Sequence, residues 1–201
     1  MAITLLLTVA VLLYQAVLHT DAGAQWALST LDRQLGGRLE RQSQGGDLSS
    51  GLTLTGVRYR DDTVDFEAGR LDIALAVDFF PLSLRIKRLA LAEVRLQPMN
   101  SDTGSGSPVL PDSLALPLEI KVEDLSVDGF DLLGGEQEKV LSLQEIRLRA
   151  RAKDSLVVEQ AKISRQQGWV TLEGEASLER PYAFDLDFAS DFAGPLQDGA
   201  E

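Results

Sequence analysis

The sequence predicts a mainly β protein: an elongated, curled, antiparallel-rich sheet shaped as a groove, with an N-terminal transmembrane helix and a short amphipathic helix before it. Three observations predict this. An eight-residue pattern (apolar, x, apolar, x, x, apolar, x, apolar) recurs as LTLTGVRY from Leu52, LALAEVRL from Leu89, LSVDGFDL from Leu125 and LSLQEIRL from Leu141, with a weaker copy, LVVEQAKI, from Leu156. The first copies start 89 − 52 = 37 and 125 − 89 = 36 residues apart, a period that suggests stacked β units rather than one compact globule. Between the copies, apolar residues alternate with Asp, Arg, Lys, Glu and Thr, so one face is wet. In the pattern itself two non-core residues stand together, which slips the phase by one. A β-bulge or a strand corner returns the later apolar residues to the same face.

Composition narrows the partners. The chain has 201 residues, a net charge of −12 and 44% apolar residues. The acidic balance argues against nucleic acid and against an anionic membrane surface as electrostatic partners, because either calls for a basic patch. With no cysteine there is no disulfide framework and no thiolate metal site. Aromatics are only 6%, so the core rests on Leu, Val and Ile.

Residues 1–20 read as a membrane anchor. The stretch 3–18 (ITLLLTVAVLLYQAVL) is uncharged and, with Met1 and Ala2, is about the shortest that spans a bilayer as a helix. Its apolar side chains are Leu5, Leu6, Leu7, Val9, Val11, Leu12, Leu13, Val17 and Leu18. No basic residue precedes it, but Ala22-Gly23-Ala24 fits a cleavage site, so a cleaved signal peptide stays open. A buried core helix is the third option and fits an all-round apolar helix poorly. Residues 21–37 read as an amphipathic helix, with Asp21 as its cap and Gly36-Gly37 as its stop. It either lies at the membrane interface, with Trp26 at headgroup level, or closes the open end of a sheet.

Residues 38–97 form a first β unit. Leu52 to Tyr59 leads to a charged turn, Arg60-Asp61-Asp62, and then to Val64, Phe66 and Ala68. Leu71, Ile73, Leu75 and Val77 alternate cleanly; Pro81 ends that run, and Leu82, Leu84 and Ile86 open the next. Residues 98–113, rich in Ser, Gly, Pro and Asp, read as a flexible linker. A second β unit, 114–201, begins with the alternation Leu114, Leu116, Leu118, Ile120, Val122 and reads on as the first part of something longer. Hairpins and meanders produce this patterning.

No catalytic constellation is present, so an enzyme is not expected, nor a cofactor or metal. His19 is the only histidine, which leaves a triad or metal cluster without its partners. Gly104-Ser105-Gly106 lacks the strand-to-helix context of a phosphate loop. Acid pairs such as Asp61-Asp62 sit in turns, where carboxylates serve turn chemistry. What remains is the apolar face. Either a second sheet covers it as a sandwich, or it stays open as a trough for acyl chains.

The segments Gly45-Gly46-Asp47-Leu48, LTLTGVRY, LDIALAV, IKRLALAEVRL, LPLEIKVEDLSVDGFDL and QQGWVTLEGEASLERPYAFDLDF resemble the N-terminal end of the TamB family, within the larger AsmA-like group. The resemblance implies an inner-membrane anchor, a periplasmic β-rich body and a lipid-bearing groove. It implies a role in carrying phospholipid to the outer membrane and in the assembly and secretion of outer-membrane proteins and autotransporters. The implied partner is a barrel protein, TamA, met through a region beyond this chain. The expected groove residues are Leu71, Ile73, Leu75, Val77, Leu82, Leu84 and Ile86. Two other readings stand beside it: a factor whose strand edges guide barrel strands without conducting lipid, and a signal-peptide-bearing periplasmic β-sandwich.

Overall fold

Each copy of the repeat lies in a strand, and the strands join one sheet. The structure, a computed structural model, describes residues 17–99, 113–134 and 138–192. Among the described residues a helix, α1 (Asp21–Gln34), precedes ten strands. These are β1 (Leu39–Glu40), β2 (Ser43–Asp47), β3 (Gly51–Arg60), β4 (Val64–Phe79), β5 (Leu82–Pro98), β6 (Glu119–Leu133), β7 (Lys139–Ala152), β8 (Ser155–Arg165), β9 (Gly168–Ser177) and β10 (Phe184–Phe192). The order is β1-β3-β4-β5-β6-β7-β8-β9-β10, with β2 also on β3, and the sheet is open. Among the described residues no second sheet covers it, so the sandwich reading is set aside.

Neighbours pair antiparallel with one exception. β5 and β6 run parallel within a sheet that is otherwise antiparallel, as an antiparallel-rich sheet allows. The reason lies in the connection. β5 ends at Pro98 and β6 starts at Glu119, which leaves the length of chain that a crossover between parallel strands needs. The sequence period then becomes the register. Leu89 faces Leu125, Leu91 faces Val127 and Val94 faces Phe130, each 36 residues on. The segments before and after the linker are thus hydrogen-bonded into one sheet. Leu114 and Leu116 do not continue a strand. Their amides donate to Leu178 O (2.7 Å) and Lys153 O (2.8 Å), carrying the chain across the end of the sheet before β6 starts at Glu119.

The phase slip takes two forms. In β3 to β7 it is a corner shared by every strand: Gly56, Gly69, Glu93, Gly129 and Gln144 drop out of the ladders while the register on either side is unchanged. Gly56, Glu93 and Gly129 have φ of 56°, 56° and 75°, the left-handed region. The edge strand breaks at the same line, between β1 and β2, where Gln42 lies across Gly56. The fifth copy instead carries a true bulge, with Glu159 and Gln160 displaced between the pairs Val158–Gly174 and Ala161–Leu172. Further register shifts fall between Ala74 and Leu75 on β4 and between Val122 and Leu125 on β6. They re-aim the strands along a second line.

Helix α1 is capped by Thr20 and not by Asp21, which lies in the first turn. The Gly23 amide donates to Thr20 Oγ1 at 3.0 Å, as an extended residue just before the helix allows. At the other end Gly36 N donates to Arg33 O (3.2 Å) and Gly37 N to Asp32 O (2.8 Å), both glycines left-handed. This Schellman arrangement stops the helix where the two glycines predict.

Most of the expected transmembrane segment lies outside the described residues. Among the described residues no helix is long and apolar enough to cross a membrane. Leu18 is described, and it is buried with Ala24, Leu28 and Leu48 in the core of the β body.

Candidate apolar lipid-binding face

The registers place the apolar positions of successive strands in transverse rows. One row runs Leu52, Ile73, Leu89, Leu125, Leu148, Ala161, Leu172, Phe188 from β3 to β10. The next runs Leu54, Leu71, Leu91, Val127, Ile146, Ile163, Val170. Beyond the bulge line Leu75, Ile86, Val122, Ala150 and Val158 form a third. Across the corner Val57, Ala68, Val94, Phe130 and Leu143 form a fourth. Strand parity brings the side chains of each segment to one face, and the corner and the register shifts keep the segments in phase.

The opposite face is charged and internally paired. Arg58 Nη2 meets Asp65 Oδ2 at 2.8 Å, Arg70 Nε meets Asp72 Oδ2 at 2.7 Å, and Lys139 Nζ meets Asp131 Oδ2 at 2.7 Å. The Arg70 guanidinium and the Thr53 hydroxyl hold Asp72 below the usual carboxylate range. Lys139 and Ser142 do the same to Asp131. In turns, Asp47 accepts from the amides and hydroxyls of Ser49 and Ser50. Asp61 accepts from Thr63, Val64 and Tyr59. Hydrogen bonds to the charged form lower both acids. Asp61 thus serves turn chemistry, as read from the sequence, and the strand carboxylates add ion pairs that the sequence did not reveal.

Helix α1 covers only one end of the apolar face. Ala27, Leu28, Leu31 and Leu35 face Leu52, Leu54, Leu71, Ile73 and Leu75 across a cavity of about 580 Å³. That lies within the roughly 300–1,000 Å³ of small-molecule sites. The lining is apolar save for Tyr59, whose hydroxyl donates to Asp61 Oδ2 at 2.8 Å. Burial then falls away along the strand order. Leu52 and Leu54 are 1% and 2% exposed, whereas Ile163 and Phe188 are 40% and 78% exposed on the same two rows. An apolar surface left open over several strands marks a place where something binds.

The seven predicted groove residues share this face. Leu71, Ile73 and Leu75 line the covered cavity, and Val77 packs against the buried cluster. Leu84 and Ile86 pair with Val77 and Leu75 from β5. Leu82 stands apart, exposed at the hairpin tip opposite Phe79. Sequence reasoning missed the most buried part, Leu52, Leu54 and Val57 under α1. These belong to the first repeat copy, so the signal was present. What the repeat lacked was any hint of which copy the helix would cover. Trp26 sits on the outer side of α1, 57% exposed, while Ala24 and Leu28 face inward. The helix therefore closes one end of the sheet and still presents an indole outward. His19 Nδ1 lies 2.6 Å from Ser49 Oγ, joining the segment before α1 to the β2–β3 turn.

Comparison with known proteins bears on this architecture. The family model described as TamB, N-terminal domain, matches residues 5–105 and 97–199. The chain belongs to the TamB N-terminal domain family. No curated protein and no solved structure matches it. The TamB family match spans both sides of the linker, as the sheet itself does. An open, mostly antiparallel sheet with one apolar face is the form this TamB domain takes.

Proposed function

We propose that this domain is a lipid conduit: held at the inner membrane through residues 3–18, its periplasmic sheet shields phospholipid acyl chains on their way to the outer membrane. The observation that carries the reading is the set of apolar rows crossing up to eight strands, closed by α1 at one end and open beyond it. Burying one methylene is worth about 0.8 kcal/mol, so a chain lying along such rows is held without any polar site. No cofactor and no bond-making step enter this function. Membership of the TamB family supports a wider role in outer-membrane protein assembly and secretion, with the barrel protein TamA as partner.

The test is native mass spectrometry of the full chain purified from a lipid-containing host. Phospholipid co-purifies with the parent and is lost from Leu84→Asp, a half-buried position whose strand partners remain. A folded parent free of lipid rules the conduit out.

One observation favours a second use of the same sheet. Among the described residues β10 is the last strand of the order, with Phe184, Phe188 and Phe192 exposed. Such an edge offers its backbone to an incoming strand, as in β-augmentation of nascent barrel strands. Cysteine cross-linking from Asp187 on β10 to a substrate strand distinguishes that use, since lipid carriage alone yields no cross-link.

A further inference from the structure

The β4–β5 hairpin ends in Phe79-Phe80-Pro81-Leu82, where a water-facing turn ordinarily carries Gly, Asn, Asp or Ser. Phe80 is 98% exposed, Leu82 56% and Phe79 50%. The tip also continues the apolar face. Phe79 pairs with Leu82 just beyond the pairs Val77–Leu84 and Leu75–Ile86, so the apolar track runs off the end of the sheet into this loop.

The tip stands on the same side of the sheet as Leu18, the last residue of the uncharged stretch 3–18. Ser49 N donates to Leu18 O at 2.9 Å, which pins the end of residues 3–18 to the β2–β3 turn. In the same turn Leu48 O accepts from Leu75 N at 2.6 Å. From Leu75 to Phe80 the strand advances about 17 Å at roughly 3.3 Å per residue. A bilayer's hydrocarbon core is about 30 Å thick, so the tip lies roughly half that thickness beyond the turn that holds Leu18. Local charge agrees. Residues 78–88 carry Arg85, Lys87 and Arg88 against Asp78, in a chain of net charge −12; Arg85 is paired with Asp78 (2.9 Å) and with Glu123 of β6 (3.4 Å), so Lys87 and Arg88 carry the local positive charge. An anionic leaflet therefore attracts this corner of an otherwise acidic protein.

We propose that the Phe79–Leu82 tip inserts into the surface of the membrane that holds residues 3–18, and that acyl chains pass there from the bilayer onto the apolar face. The proposal rests on reading that face as a lipid path and those residues as an anchor. Its occupant is a phospholipid leaflet, chosen by the exposed aromatic apex, the neighbouring basic residues and the adjoining apolar stretch. Inserting the tip removes its aromatic surface from water and makes the leaflet continuous with the row that starts at Phe79 and Leu82.

The absence of cysteine makes the test direct. Phe80→Cys in the full chain, labelled with an environment-sensitive dye, is placed in vesicles of phosphatidylethanolamine and phosphatidylglycerol. The control label is at Gln166→Cys in the β8–β9 turn, at the opposite end of the sheet. The dye at position 80 shifts to the blue and is quenched by lipids spin-labelled on their acyl chains, whereas the dye at 166 is not. Equal water exposure at the two positions, with the protein fully vesicle-bound, overturns the insertion. Phe80→Asp slows loading of fluorescent phospholipid from vesicles by about tenfold, as expected for losing the burial of one large apolar side chain. Lipid already loaded is retained as in the parent, whereas Leu84→Asp fails to retain it. Parental loading by Phe80→Asp overturns the entry role. A parent that takes up no lipid at all refutes the lipid path itself, while the quenching at position 80 still reports where the tip lies.

Discussion

At the scale of single residues, the corner across β3 to β7 is the most demanding feature. Left-handed backbone costs a non-glycine residue roughly 1–2 kcal/mol. Gly56 meets this with no side chain, and a Cβ there would come within 2.5 Å of Gln42 Cδ. Glu93 adopts the same φ of 56° with a full side chain, laid against Gly69. The two positions therefore respond oppositely to exchange. Gly56→Ala lowers stability by about 1–2 kcal/mol, whereas Glu93→Gly stays within about 0.5 kcal/mol of the parent, because relief of strain offsets the added freedom of the unfolded chain. Urea unfolding midpoints measure both. The turn carboxylates give a second prediction. Asp61 titrates below its ordinary value, so the folded form binds fewer protons than the unfolded form, and its contribution is present above about pH 4 and lost as pH falls further. Asp61→Asn keeps an acceptor for the Val64 amide and removes this titration. Its stability falls less steeply than the parent's below about pH 4, followed by denaturation at a series of acid pH values. A parallel fall places the acid sensitivity at other groups.

At the scale of elements, α1 is the piece that turns half a sheet into a cavity. It is held by capping at both ends and by Ala24 and Leu28 against the β2–β3 region, with few other contacts. Leu28→Ala removes about 2–5 kcal/mol at a buried leucine and loosens the helix from the sheet. Hydrogen exchange then speeds across residues 21–34 and on Leu52 and Leu54 beneath them, while β7 to β9 exchange as before. Uniform acceleration through the sheet contradicts this and makes α1 part of one cooperative unit. The strands themselves were legible as alternations. Their ends were legible where turn chemistry was explicit, at Arg60-Asp61-Asp62 and at Gln167-Gly168. The start of β6 was not. Leu114 and Leu116 alternate as well as any strand, but their amides are taken by Leu178 and Lys153 at the sheet's end, a contact made by residues far away in sequence.

At the scale of the whole molecule, the same apolar pattern is core at one end and open surface at the other. A charge on the two ends therefore has different consequences. Leu54→Asp forfeits the roughly 1.5–3 kcal/mol of a buried leucine and leaves a carboxylate without water, so the folded state is lost. Ile163→Asp, 40% exposed on the same row, leaves the circular dichroism spectrum and melting temperature near the parent's and weakens lipid retention. Unfolding by Ile163→Asp assigns the far rows to structure instead of to binding.

The sequence by itself determined which residues share a face, because strand parity is a local property, and the 36-residue spacing already contained the parallel register of β5 on β6. It determined as well that each copy carries a corner or a bulge, since two adjacent non-core residues admit few other solutions. The tertiary structure alone decided that β5 and β6 run parallel, that the strands on both sides of the linker form one sheet, and that α1 covers the first repeat and none of the later ones. Those outcomes depend on where a long connection carries the chain and on which equivalent apolar surface a single short helix reaches first. Alternation along a strand records neither.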